Sequence, residues 1–217
     1  AWSLPTAEDR LQLYGLAHKL LGEAGYVPVG MDHFAREDDE LVVASRAHRL
    51  HRNFMGYTTR PGLDLVGLGV SAISDIGAAY AQNTKDMTSY TAALDAGRLA
   101  TERGRLLEAD DEVRRELIMT LLCNFQVDLA DLGRRFDLDY EAYFADDLRQ
   151  LQPLMADGLV ERPDDNGLVR MTRDGLPFVR LAAMAFDRYL DPGQCPAGFP
   201  VPPVPGPAGP GSGCPGC

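Results

Sequence analysis

The chain has 217 residues, 45% of them hydrophobic, which suffices for the core of one large or two small domains. Its formal net charge of −11 disfavours binding to phosphate backbones and to anionic lipid headgroups. No run approaches the roughly 18 consecutive apolar residues of a membrane helix, so we predict a cytoplasmic protein that binds neither nucleic acid nor membrane.

The first region, residues 1–83, opens without methionine and runs almost at once into a helix, which suggests an internal cut in a longer protein. Thr6 and Asp9 have the spacing of a capping box, and Gly25 ends the helix. Residues 26–31 then read as a short strand, with Pro28 favouring an edge position. Helix, glycine and strand in this order are typical of one unit of a barrel-like α/β fold.

Asp32 and His33 follow this strand, where such folds carry their chemistry. Adjacent residues on a strand point to opposite faces, so the two side chains share a proton only if the strand has already ended. A catalytic role and a structural hydrogen-bonding role both remain open for this pair.

A second helix is predicted over about 38–48, capped by Asp38 or Asp39. Residues 50–60 and 64–74 then interleave glycines with apolar residues, a pattern that lets a ligand or a second backbone approach closely. Gly67 and Gly69 favour a bulged strand and turn, since the third glycine, the helix start and the acidic residue of a dinucleotide fingerprint are missing. Nicotinamide binding is therefore rejected.

The second region, residues 84–190, is predicted to be mainly helical. Asn166-Gly167 lies between two apolar runs and indicates a hairpin across 159–171. Helices are expected at about 85–96, with Thr84 as cap, and at 110–123, 129–136, 140–157 and 172–190.

Three helices and a hairpin resemble a winged helix, but the charge of this region argues against DNA as its partner. Residues 108–190 contain 18 Asp and Glu against 10 Lys and Arg. The helix that would enter a groove carries Glu141, Asp146 and Asp147 on or near its expected exposed face.

The third region, residues 191–217, is rich in proline and glycine and is predicted to be disordered. Cys214 and Cys217 have metal or redox spacing, but zinc bound by these two and Cys195 would lack a fourth ligand. Cys123 lies in an apolar helical run, where a buried free thiol is expected.

Several short strings occur in one order and together resemble the oxygen-independent coproporphyrinogen III oxidase family. The resemblance covers about residues 1–190. The strings that carry it include Gly30-Met31-Asp32-His33-Phe34-Ala35, His51-Arg52-Asn53-Phe54, Gly56-Tyr57-Thr58-Thr59, Gly69-Val70-Ser71-Ala72-Ile73-Ser74, Leu122-Cys123-Asn124-Phe125 and Asp157-Gly158-Leu159-Val160. A related haem-trafficking branch carries a different string where this chain has Asn53 to Tyr57, so the oxidase branch is the better match.

The resemblance implies a radical enzyme of porphyrin biosynthesis, an oxidoreductase with S-adenosylmethionine and a [4Fe–4S] cluster on a Cys-x-x-x-Cys-x-x-Cys loop. The chain has no such loop, so the chain alone is expected to be inactive. The family converts coproporphyrinogen III to protoporphyrinogen IX by removing two propionate carboxyl groups as carbon dioxide. The implied partners are that substrate and an electron donor for the cluster, and the protein is expected to be a monomer.

The resemblance also implies roles for individual residues. The residue matching Ile73 contacts S-adenosylmethionine, and those matching Phe54 and Met55 lie near a second molecule of it. A family member has glutamine at the position of Met55, so this chain would lack a polar contact there. Because the substrate carries four carboxylates, Arg52 and Arg60 are predicted to bind it.

The predicted fold is thus α/β plus mainly α: the terminal part of a partial TIM-like barrel over 1–83, a helical winged-helix-like domain over 84–190, and the tail. The competing hypothesis is an acidic module whose partner is another protein.

Overall fold

A computed structural model describes residues 4–161 and 167–190 of the chain. The predicted hairpin turn at 164–166 and the tail with Cys195, Cys214 and Cys217 lie outside the described residues.

The first helix begins as predicted. Helix α1 spans Ala7–Glu23, and its cap is a capping box in which Thr6 Oγ1 accepts a hydrogen bond from the Asp9 amide at 3.1 Å. The chain then forms strands β1 (Tyr26–Val29) and β2 (His33–Arg36), which pair antiparallel. The expected parallel arrangement of a barrel unit is therefore absent from the described residues, because the chain turns back at once through Gly30 and pairs with itself.

The middle of the chain is a series of antiparallel pairs. Helix α2 (Glu40–Arg46) is capped by Asp39, in agreement with the sequence. Two hairpin strands follow, and then three strands form a sheet in the order β5-β6-β7. These elements are β3 (His51–Asn53), β4 (Gly56–Thr58), β5 (Ile73–Ile76), β6 (Ala79–Asn83), helix α3 (Met87–Asp95) and β7 (Thr101–Leu106).

Close backbone approach at Gly67 is confirmed. A Cβ atom on Gly67 would lie 2.7 Å from the carbonyl oxygen of Ile73. The cap of α3 differs from the prediction, because Asp86, rather than Thr84, accepts the hydrogen bond from the Ser89 amide. Thr84 instead accepts one from the amide of Asp86.

The helices predicted at 110–123 and 129–136 are present, whereas the two predicted at 140–157 and 172–190 are broken or shortened. The segment 140–157 is broken into three helices, since Phe144 departs from helical backbone angles and Pro153 opens a new helix. The predicted helix 172–190 contracts to a 3₁₀ turn (Leu176–Phe178) and one short helix. These elements are α4 (Ala109–Asn124), β8 (Gln126–Asp128), α5 (Leu129–Phe136), α6 (Tyr140–Tyr143), α7 (Ala145–Gln150), α8 (Gln152–Ala156), β9 (Leu168–Arg170) and α9 (Val179–Met184).

The hairpin across 159–171 is present in part. Val160 and Met171 form an isolated bridge, but β9 makes its ladder with β8, a strand that the sequence did not indicate. Asp147, expected on an exposed face, is instead buried and lies 3.0 Å from Arg114.

Two hydrophobic cores meet at α4. The larger one packs α4, α5 and α9 around Leu117, Leu121 and Phe186. The smaller one packs β1 and α2 against Cys123 of the same helix. Buried Asn124 joins the two parts, because its side chain accepts a hydrogen bond from the Leu50 amide (3.1 Å) and donates one to the Leu50 carbonyl (3.2 Å).

Candidate functional site

A cleft of about 610 Å³ lies between the β3–β4 hairpin, the loop after β4 and helix α4. We call it the basic cleft, after Arg52, Arg60, Arg115 and Arg135, which all line it. The two residues predicted to bind substrate, Arg52 and Arg60, thus come to one cavity, although β4 and its flanking residues separate them in the chain.

Arg52 is held by its partner across the hairpin. The ladder pairs Arg52 with Tyr57, and the guanidinium carbon lies 5.2 Å from the centre of the tyrosine ring. Nη1 of Arg52 also donates a 3.4 Å hydrogen bond to the Tyr57 hydroxyl, which accepts a second one from the amide of Met31 at 2.9 Å. Burial raises the pKa of Tyr57, so the ring remains a neutral platform under the cation.

The four arginines of the basic cleft differ in whether a nearby carboxylate neutralises their charge. Arg115 forms an ion pair with Asp75, and Arg135 forms one with Glu116 at 2.8 Å. Within residues 4–161 and 167–190, neither Arg52 nor Arg60 has a carboxylate within ion-pair distance. These two cations are therefore available to an anionic ligand.

The residues predicted to contact cofactor lie apart from this lining. Ile73 begins β5, while Phe54 and Met55 form the turn between β3 and β4. The Phe54 ring meets the Tyr80 ring edge to face at 5.4 Å. Met55 is 83% exposed.

Asp32 and His33 form a hydrogen-bonded pair. Nδ1 of His33 lies 2.9 Å from Oδ1 of Asp32, and both side chains are about half exposed. The two side chains can meet because the first strand has already ended. Asp32 belongs to the turn, and β2 begins only at His33. Nη2 of Arg180 lies 3.9 Å from the other oxygen of Asp32.

Sequence reasoning missed the contribution of α4 to the cleft. Arg115 and Met119 both line it and lie one helical turn apart. Nothing in the local sequence indicated that Tyr57 fixes Arg52.

Metal binding finds no support in the part of the chain that the structure describes. That part contains no cluster of three or more His, Cys, Asp or Glu side chains able to hold an ion. Its cysteine, Cys123, is buried, and burial raises the pKa of the thiol to about 12. The same residues include no helix of the length and apolar character needed to cross a membrane.

Comparison with known proteins relates the described fold to one group of enzymes. Residues 107–178 match the family model described as the HemN C-terminal domain. The chain is 46% identical over 187 residues to the oxygen-independent coproporphyrinogen III oxidase of Escherichia coli K12, covering 86% of this chain and 40% of that protein. The corresponding values are 45%, 86% and 40% for the Pseudomonas aeruginosa oxidase, and 42%, 87% and 41% for that of Synechocystis.

A solved structure of the same kind of enzyme is also similar to this chain. Coproporphyrinogen III oxidase (HemN) from Escherichia coli, described as a radical SAM enzyme, superposes with a TM-score of 0.81 at 45% identity. The match covers 86% of this chain and 43% of that one. The chain thus spans about two fifths of the length of the curated relatives it matches. The chain as a whole is thus similar to the carboxy-terminal part of oxygen-independent coproporphyrinogen III oxidases, and its residues 107–178 match the HemN C-terminal domain.

Proposed function

We propose that this chain is the carboxy-terminal part of an oxygen-independent coproporphyrinogen III oxidase and that it binds the substrate through the basic cleft. The reaction is the oxidative decarboxylation of two propionates of coproporphyrinogen III to give protoporphyrinogen IX, in haem biosynthesis. The observation that carries the proposal is the presence in one cleft of two arginines, Arg52 and Arg60, that have no carboxylate partner among the described residues.

The chemistry of the substrate suits these two residues. Each propionate carboxylate offers two acceptor oxygens, and a guanidinium matches them with a planar fork of donors. Arg52 stacks on Tyr57 and is already oriented before a ligand arrives, so less side-chain freedom is lost on binding. Arg60 lies on the exposed rim of the cleft and would contribute mainly by attracting the anion.

The cofactors of the proposed enzyme are S-adenosylmethionine and a [4Fe–4S] cluster. Ile73 is proposed to contact one S-adenosylmethionine, with Phe54 and Met55 near a second. The described residues do not fit the cluster, because several thiolates are needed and Cys123 is buried in a core. We therefore place the cluster ligands in the portion of the relatives that this chain does not match.

The finer architecture is also a proposal. We propose that residues 1–83 complete a partial TIM-like barrel, that 84–190 form the winged-helix-like domain, and that 191–217 are a tail. The β5-β6-β7 sheet runs across the first boundary, which would couple the two domains. We further propose a cytoplasmic monomer that receives electrons from a separate donor.

The test is binding of coproporphyrin III, the fluorescent oxidised form of the substrate, to the 217-residue chain. Arg52→Ala and Arg60→Ala should each raise the dissociation constant, Arg52→Ala by about tenfold, as expected for loss of a charged hydrogen-bonded contact. Fluorescence anisotropy measures the change.

Arg36→Ala is the matched control, since Arg36 is 77% exposed and lies 4.0 Å from its acidic neighbour Asp38. This variant should bind like the unmodified chain. Equal affinity of all three variants, or no binding by the unmodified chain, would contradict the proposal.

A further inference from the structure

A second cleft, of about 330 Å³, adjoins the basic cleft. We call it the methionine cleft, after Met31, Met119 and Met184 in its wall. Arg52 and Met119 line both clefts. One ligand of sufficient size can therefore touch both.

Helix α4 forms the floor of the methionine cleft. Ile118, Met119 and Leu122 all line it and fall on one face of the helix. Ile118 and Leu122 are only partly buried and also pack against the larger core, which fixes their positions. The floor is thus an ordered apolar surface that suits an apolar ring system.

The methionine cleft also contains a second basic residue, Arg180, on helix α9. Its side chain is 67% exposed, its nearest carboxylate oxygen is that of Asp32 at 3.9 Å, and its Nε lies 3.5 Å from the sulfur of Met31. Asp32 already hydrogen-bonds His33 at 2.9 Å. Asp187 also lines the cleft, but its Oδ1 accepts a hydrogen bond from the Tyr189 amide. Most donors of Arg180 are thus free for another acceptor.

We infer that Arg180 is a second carboxylate-binding residue and that Ile118, Met119 and Leu122 support the ring of the same ligand. The inference rests on the proposed function and assigns the substrate a position across both clefts. A tetrapyrrole of this kind has an apolar centre and carboxylates at its edge, so cationic side chains beside an apolar patch suit it. Arg52 and Arg180 both line the methionine cleft together with the apolar residues of α4.

The experiment compares two porphyrins that differ in carboxylate number, coproporphyrin III with four and deuteroporphyrin with two, by anisotropy on the 217-residue chain. Arg180→Ala should raise the dissociation constant for coproporphyrin III at least about fivefold and should affect deuteroporphyrin less. Arg180→Lys should recover part of the loss. Met119→Asp should weaken both ligands, since it places a charge on the floor.

Arg149→Ala is the matched control, because Arg149 is also 67% exposed and also pairs with one aspartate. Thermal unfolding of each variant detects any loss of fold, which would weaken both porphyrins equally. If Arg180→Ala behaves like Arg149→Ala while Arg52→Ala still weakens binding, this inference is wrong and the proposed function stands. If Arg52→Ala and Arg60→Ala also have no effect, both are wrong.

Discussion

Cys123 illustrates how strongly one core position is shielded. The thiol is buried at the junction of β1, α2 and α4, and burial raises its pKa to about 12. In a Cys195→Ser, Cys214→Ser, Cys217→Ser background it is the one remaining thiol of the chain. We predict that iodoacetamide at pH 8 labels it far more slowly in the folded protein than in urea, because only the thiolate reacts. Equal labelling rates would contradict burial.

The raised pKa of the Cys123 thiol also affects the stability of the folded protein at high pH. An unfolded thiol ionises near pH 8.5, whereas the folded one keeps its proton to about pH 12. Between these values the unfolded state has lost a proton that the folded state retains. The contribution of Cys123 to the free energy of unfolding is therefore complete below the lower value and decreases as the pH rises.

Arg114 connects three elements through a largely buried guanidinium. Its Nη1 donates to Asp147 at 3.0 Å and to the Phe186 carbonyl at 2.9 Å, and its Nε donates to Asp110. Arg114→Ala should lower the free energy of unfolding by about 3 kcal/mol, because it leaves a buried carboxylate without its partner. Urea denaturation measures this. Arg149→Ala removes an exposed pair and should cost less than about 1 kcal/mol.

The network around Arg114 also predicts a pH dependence. Burial alone would raise the pKa of Asp110, but a hydrogen bond from Tyr143 and the charges of Arg114 and Arg188 hold that pKa below its ordinary value. A depressed folded pKa gives stability that is present at neutral pH and is lost as the pH falls through the acidic range. The loss of stability between pH 7 and pH 4 should be smaller in Arg114→Ala than in the unmodified chain.

At the scale of elements, Gly67 sets how closely the segment before β5 approaches that strand. A Cβ at Gly67 would meet backbone atoms of Ile73 at 2.7 to 3.0 Å, so Gly67→Ala should lower the free energy of unfolding by about 1–3 kcal/mol. Gly15 is the control, because it lies inside α1 with open space around it. Gly15→Ala should stabilise the protein slightly, by up to about 1 kcal/mol. Thermal unfolding distinguishes the two.

Elements with local signals were predictable, and those set by tertiary contacts were not. The cap of α1 at Thr6 was predicted correctly, and Asp39 is one of the two caps predicted for α2, since side chains next to the helix define both caps. The break near Pro153 could also have been predicted, because proline has no backbone N–H and cannot continue a helix. Strand β7 is exposed along its whole length, so it has no burial pattern for the sequence to reveal.

At the scale of the whole molecule, Asn124 couples the part that holds the basic cleft to the larger core. Its two hydrogen bonds to the Leu50 backbone are buried. Asn124→Ala leaves that buried backbone amide and carbonyl unpaired, at about 1–3 kcal/mol each. We expect a lower midpoint of urea denaturation and earlier proteolytic cleavage near residue 50. Cleavage at the rate of the unmodified chain would contradict this role.

The composition of the candidate site could be predicted only in part. Arg52 and Arg60 were proposed from their residue type and from the resemblance, and both line the basic cleft. Arg115, Met119 and Arg180 come from helices far along the chain, and only the packing of α4 and α9 brings them near the hairpin. Such long-range assembly leaves no mark in local sequence.

Helix α1 has a consequence for how the chain behaves on its own. None of its residues is buried, and Leu13, Leu16 and Leu20 are each half exposed or more. A helix of this length gains little stability without tertiary packing. In deuterated water its amides should exchange within seconds to minutes, while those at Leu117 and Leu121, which are completely buried in α4, should remain protonated until the whole domain opens. Hydrogen exchange mass spectrometry would thus divide this chain into a rapidly exchanging first helix and a slowly exchanging centre.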